Sequence, residues 1–214
     1  MKNWNRLLFF ILTIMAFTGC KKEAILYKIE GNVSDQISNG PIPNLNIQLF
    51  QRVYQSGVLN NNYTYLTEVT ADDNGNYAFE FERTLIYDIK LVIEDTKYYT
   101  KEVIIEQQDL STEDVNMVNL GVEAKGWLKM ILNNNYVSPD EQLNIFKTGF
   151  KTDCEACCTI GNTTFYETGD TSLTCAVTGG STVKIVYGEA TAGSSFTEEI
   201  ECVRFDTTFF TINY

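Results

Sequence analysis

Five cysteines crowd the last third of the chain: Cys154, Cys157, Cys158, Cys175 and Cys202. Thiols at this spacing allow three chemistries. They can pair as disulfides, Cys154-x-x-Cys157 can join Cys175 and Cys202 as four thiolate ligands, or a CxxC pair can exchange electrons. The metal reading wants a second short pair, as zinc sites usually have, and the sequence offers none. The redox reading wants the CxxC at the start of a helix in a βαβ setting, whereas the flanking residues are strand-like. Cys157 and Cys158 are adjacent, and bridging neighbours strains the geometry of the bond. Each is therefore expected to reach a different strand, with Cys175 and Cys202 as partners. Five is odd, so one thiol is left over or pairs with another chain.

Histidine is absent from all 214 residues. That removes the commonest general base, the commonest metal ligand and every Ser-His or Cys-His nucleophile. Acid pairs occur at Glu94–Asp95, Glu113–Asp114 and Glu198–Glu199. Glycosidase chemistry needs two carboxyls about 5–10 Å apart in a cleft, and neighbours along a strand point to opposite faces. The run DDNG at Asp72–Gly75 lacks EF-hand spacing and reads as a hairpin turn. No catalytic residue, metal ligand or cofactor is assigned. One stretch favours contact instead: in QRVYQSGVLNNNYTY, Tyr54, Tyr63 and Tyr65 lie among Asn60–Asn62. Tyr and Asn suit adaptable loops that stack on sugars or peptides. The alternative is an exposed hairpin whose tyrosines pack over the sheet.

The compartment decides among the thiol chemistries, and the N-terminus speaks to it. Lys2 and Arg6 precede LLFFILTIMAF at Leu7–Phe17, a basic then apolar order that reads as a secretory signal too short for a permanent span. It closes on FTGC, with Gly19 directly before Cys20. This resembles the lipobox of bacterial lipoproteins, in which the cysteine thiol receives a diacylglyceryl group and becomes the first residue after cleavage. The resemblance implies a signal peptide over residues 1–19, a lipidated tether over 20–24 and attachment to a membrane through Cys20. Lys21 stands where an aspartate would resemble the inner-membrane retention signal of enterobacterial lipoproteins, so the expected site is the outer membrane, lipid-anchored on its periplasmic or cell-surface face. The Asn- and Tyr-rich texture resembles lipoproteins of the Bacteroidetes. An oxidising compartment makes disulfides the default for the remaining cysteines.

Removal of residues 1–19 leaves 14 basic against 28 acidic side chains, a net charge of −14. Such a surface repels phosphate backbones, which argues against nucleic acid as a partner. The acids are scattered and form no tail.

The elements that must position these residues are strands. In NLNIQLF, Leu45, Ile47 and Leu49 share a face; in NYAFEFE, Tyr77, Phe79 and Phe81 do; in YDIKLVIED, Ile89, Leu91 and Ile93 do. The order GNVSDQISNGPIPNLNIQL, TEVTADDNGNYAFEF, YDIKLVIEDTKYY resembles the carboxypeptidase regulatory-like, or transthyretin-like, β-sandwich. Gly31, Pro41, Asn44, Thr70, Asp72, Asn74, Gly75, Tyr77 and Phe79 occupy the places of that pattern, and the insertion before Tyr65 is longer than its minimal form. The resemblance covers residues 25–120 and implies a domain that supports a neighbour without chemistry of its own.

A fresh strand, WLKMILNN, opens near Gly126 with both faces largely apolar, as in a covered central strand. Further strands are expected at Gln142–Lys147, Asn162–Glu167, Ser172–Val177, Thr182–Tyr187, Thr197–Phe205 and Thr208–Asn213. The whole reads as all-β: two tandem Ig-like or transthyretin-like sandwiches, the second spanning 121–214 and holding the cysteines. The expected function is a non-enzymatic, membrane-anchored binding or structural module, with an envelope protein or glycan as partner. The rival is an envelope hydrolase using paired carboxylates, or a thiol- or metal-dependent protein using the cysteine cluster.

Overall fold

The computed structural model describes residues 24–135, 142–154, 156–166, 169–189 and 195–214. Cys20 and the signal segment lie outside the described residues. The fold is all-β. Nine strands form the first half: β1 (Leu26–Asp35), β2 (Asn46–Gln55), β3 (Val58–Leu59), β4 (Thr64–Thr70), β5 (Asn76–Glu82), β6 (Ile86–Ile93), β7 (Lys101–Glu106), β8 (Asn116–Met117) and β9 (Leu120–Val122). Seven form the second: β10 (Lys125–Asn133), β11 (Leu143–Thr148), β12 (Gly161–Phe165), β13 (Thr171–Thr178), β14 (Thr182–Glu189), β15 (Phe196–Glu201) and β16 (Thr207–Asn213).

Alternation explains the first sandwich. β1 pairs antiparallel with β5 and parallel with β8 and β9, while β2 pairs with β3, β4 and β6, and β6 with β7. Tyr27, Ile29 and Val33 of β1 and Tyr77, Phe79 and Phe81 of β5 meet Ile47, Leu49, Ile89, Leu91 and Ile93 from the opposing sheet. Each such side chain, fully removed from water, stabilises by roughly 1.5–3 kcal/mol before conformational entropy is counted. The long insertion is a tight hairpin. Ser56 (φ 53°) and Gly57 (φ 81°) turn β2 into β3, with Tyr54 opposite Leu59.

The DDNG segment is a turn, but not a hairpin. It carries the chain from β4 to β5, which belong to different sheets. Asp72 holds it by accepting from the backbone N–H groups of Asn76 and Asn74, each at 2.8 Å, and these bonds lower its carboxyl pKa, with the Asn76 bond the largest cause.

The second sandwich stacks β13-β10-β16 on β12-β11-β14-β15. Leu128, Met130 and Leu132 of β10 pack on Leu143, Ile145, Val183 and Ile185. β10 is central, as its sequence predicts, yet only one face is covered. Trp127 is 39 % exposed and Lys129 and Ile131 are half-buried on the outer side. The predicted strand to Phe205 stops at Glu201; Phe205 takes φ 61° in the turn that leads into β16.

Candidate functional site

On the outer face of the β2–β6 pair, Arg52 stands opposite Asp88 and Phe50 opposite Lys90. Asp88 is only 1 % exposed. It accepts from Arg52 Nε at 2.8 Å, from the terminal nitrogen of the same guanidinium, and from the Tyr63 hydroxyl at 3.3 Å. The guanidinium carbon lies 4.8 Å from the Tyr63 ring centre and 5.1 Å from that of Tyr87. Lys90 Nζ lies 4.6 Å from the Tyr63 ring and 3.0 Å from Glu102. The hydrogen bond to Asp88 raises the Arg52 pKa, and burial followed by the Asp88 charge raises that of Tyr63. Both cations are therefore neutralised within the face, and what it offers outward is aromatic surface.

The structure gives each of the three tyrosines singled out by sequence its own partner along one connected face. Tyr63 belongs to the Arg52–Asp88 cluster, Tyr54 packs edge-on against Tyr87 at 6.0 Å, and Tyr65 against Phe50 at 5.7 Å. Arg52, Tyr87 and Asp88 escape a sequence reading. Asp88 occupies an ordinary outward position in a period-two strand, and nothing local marks it as buried.

The sandwiches meet where β9 runs into β10. The backbone bonds there include Tyr99 N–H to Glu123 O at 2.9 Å, Lys125 N–H to Lys97 O at 2.8 Å, and Phe205 N–H to Lys125 O at 2.7 Å. The Tyr99 hydroxyl donates to Val177 O at 3.0 Å and Thr178 Oγ1 to Glu123 at 2.9 Å. Lys151 pairs with Glu123 at 3.1 Å. Arg204 reaches across to Asp35 at the end of β1, and the Asp35 carboxylate, 3 % exposed, also accepts from Ile37 N–H, Ser38 N–H and Ser38 Oγ. Within the second sandwich Gly179 leaves room for the backbone that carries Arg204, because a Cβ there would fall 2.7 Å from Arg204 Cα. A groove of about 570 Å³ remains beside the junction, lined by Tyr99, Lys125, Trp127 and Lys151 among others.

Cysteine pairing differs from expectation. Cys154 bridges to Cys157 and Cys158 to Cys175, with Cα separations of 5.2 and 5.0 Å. Cys202 is a buried free thiol. The segment at Cys157 lies parallel to β13 beside Ala176. Extended backbone sends neighbours to opposite sides, so Cys158 enters the core toward Cys175 while Cys157 turns back to Cys154. With two pairs bridged, the four-thiolate set of the metal reading is not assembled. Among the described residues no group of three or more His, Cys, Asp or Glu is placed to hold a metal ion. The acid pair Glu198–Glu199 lies exposed on β15, split between its two faces.

No family model matches the chain, and no curated protein does. Among solved structures, the TIE protein of Bacillus anthracis is 13% identical over 88% of this chain and 34% of that one, with a TM-score of 0.37. The GBS52 minor pilin of Streptococcus agalactiae is 10% identical over 87% of this chain and 94% of that one, at 0.35. The 3-chlorocatechol 1,2-dioxygenase of Rhodococcus opacus is 9% identical over 49% of this chain and 61% of that one, at 0.34. The chain spans about a third of the length of the first of these.

Proposed function

We propose that the chain is a non-enzymatic, membrane-anchored envelope lipoprotein acting as a rigid two-module element that carries a contact surface on its anchored module. The observation that carries the reading is the junction. An ion pair with a buried carboxylate and several backbone hydrogen bonds join two sandwiches which in a flexible tandem would be linked by a solvated loop. The lipobox supplies the anchor at Cys20, and the resemblance of residues 25–120 to carboxypeptidase regulatory-like domains fits a support role. The aromatic face around Phe50, Tyr63 and Tyr65 is the contact surface, suited to an envelope protein or a glycan. Service to an outer-membrane transporter, an adhesin or an envelope complex falls within this reading.

Mass spectrometry of protein from the envelope fraction tests the anchor. The expected species begins at Cys20 and carries diacylglyceryl mass, and a chain that retains residues 1–19 without acyl groups would sink the reading. Crosslinking through the aromatic face in intact envelopes, compared with a Phe50→Ala, Tyr65→Ala variant, tests the contact surface: loss of the crosslinked partner in the variant is expected, and an unchanged pattern would overturn it.

A further inference from the structure

The first sandwich has two ends. Asp35 closes β1 at the junction, so Leu26 opens it at the opposite pole, where the described chain begins at Ala24. The strand pairing collects at that pole the residues where β5 gives way to β6 and where β2 turns into β3. Arg83 N–H donates to Ile25 O at 2.8 Å and Tyr54 N–H to Leu85 O at 3.1 Å. What gathers there is apolar and uncovered: Ile25 is 51 % exposed, Val58 70 %, Leu85 75 %, and the Tyr54–Tyr87 pair borders them. Ile25 and Leu85 line one shallow depression of about 530 Å³, with Arg83 and Glu82 on its wall. Isolated exposed apolar residues are ordinary, whereas Ile25 and Leu85 share one depression and Val58 is exposed at the same end of the sandwich, a grouping that marks a candidate contact surface.

We propose that this pole rests on the lipid surface that holds Cys20, with Ile25, Val58 and Leu85 entering the headgroup region and Tyr54 and Tyr87 at the boundary between water and hydrocarbon. The inference rests on the anchored reading above. Its argument is distance: only five residues lie between Cys20 and Leu26, so the pole stands within about 20 Å of the acyl chains at full extension. At so short a tether a weak surface contact is effectively intramolecular. The residue types agree. Tyrosine favours the membrane–water boundary, and Arg83 can lay its aliphatic stem along apolar surface while its charge stays among headgroups. Glu82 and the nearby Glu106 carry the opposite sign, so apolar insertion and not attraction to anionic lipid is the main contribution. The consequence is orientation: the junction and second sandwich are directed away from the bilayer.

The test uses the full-length, lipid-modified protein in phosphatidylcholine vesicles that contain brominated lipid. An indole introduced by Leu85→Trp should lose at least half its emission to bromine, above the background of Trp127, while one introduced by Phe209→Trp on the second sandwich should keep its own. Equal emission from both variants, in protein whose Cys20 acylation is verified by mass, overturns the pole contact and leaves the anchored reading standing. Protein without acyl groups that stays off the vesicles overturns both. Efficient disulfide crosslinking between copies through Leu85→Cys, with the indole at that position unquenched, assigns the pole to a second copy and also overturns the proposal.

Discussion

Asp35 and Arg204 are 169 residues apart in the chain and pair at the point where the two sandwiches touch, the carboxylate buried and the guanidinium side chain 35 % exposed. Removing Asp35 leaves Arg204 within reach of water, so the cost falls below the about 3–5 kcal/mol of a fully buried pair. Asp35→Ala should still destabilise, because the carboxylate also holds the Ile37–Ser38 turn. Arg204→Met leaves the buried carboxylate with only its turn hydrogen bonds and should destabilise as well. The parent protein is expected to unfold in a single urea transition. In Asp35→Ala the halves should separate into two transitions, read by circular dichroism together with Trp127 fluorescence.

Tyr99 makes the junction sensitive to alkali. Burial, then the charges of Glu123 and Asp153, push its phenol up to about 12 from an ordinary 10, and its hydroxyl donates to Val177 O. The folded state thus holds this proton more tightly than the unfolded chain does. The stabilisation is complete below pH 10 and is lost as pH rises from 10 through 12. Tyr99→Phe should lower the unfolding midpoint at pH 7 through the lost hydrogen bond, worth about 1 kcal/mol. It should also flatten the decline between pH 10 and 12, which thermal scans across that range would measure.

The strands were legible because each hides one face, and period-two alternation records this at Ile47 and Leu49 or at Tyr77 and Phe79. Long-range pairings were not. Nothing local predicts that β8 and β9 return to lie parallel to β1, or that Asp72 turns the chain between sheets and not within one. The candidate face was half legible, since Tyr63 and Tyr65 stand out by composition in their loop. Asp88 did not, because its burial comes from Arg52, 36 residues away. The cysteine pairing failed on the same ground: the course of the backbone past β13, not the sequence spacing, set which of two neighbours faced the core.

Asp88 is the residue on which the aromatic face depends. Asp88→Asn keeps the volume but removes the charge that Arg52 and Tyr63 address. The variant should be less stable, since the guanidinium then lacks its counter-charge, and urea titration would measure the loss. Because Asp88 helps raise the Tyr63 phenol, a tyrosine should also titrate lower in the variant than in the parent, visible in an alkaline ultraviolet absorbance titration.

Gly31 leaves room for another strand's backbone. A Cβ there would fall 1.7 Å from the carbonyl oxygen of Val118, which accepts from the Tyr77 hydroxyl at 2.6 Å. Gly31→Ala must displace Val118 and break that bond. Overpacking and a lost hydrogen bond together predict about 3 kcal/mol of destabilisation, against about 1 kcal/mol for Tyr77→Phe alone. Urea titration of the two variants distinguishes the contributions. If Gly31→Ala unfolds at the parent midpoint, the segment between β8 and β9 does not lie over β1 as described.

Cys202 reports on the second sandwich from within. Its side chain is fully buried, its sulfur lies 3.8 Å from Ile200 O, and burial pushes the thiol up to about 11. At pH 8 only about one molecule in a thousand would carry a thiolate even if reagent could reach it. Reaction therefore has to wait for the core to open. Denatured, unreduced mature protein should release one equivalent of thiol, and peptide mapping should place it at Cys202, since the other four cysteines of this sandwich are bridged. In the native protein the labelling rate should rise with urea in step with unfolding of this half. The slope then measures the opening of the β14–β16 region independently of spectroscopy. A thiol found at Cys157 or Cys175 would mean that the backbone at Cys154–Cys158 does not run beside β13, and the pairing argued from that course would fall with it.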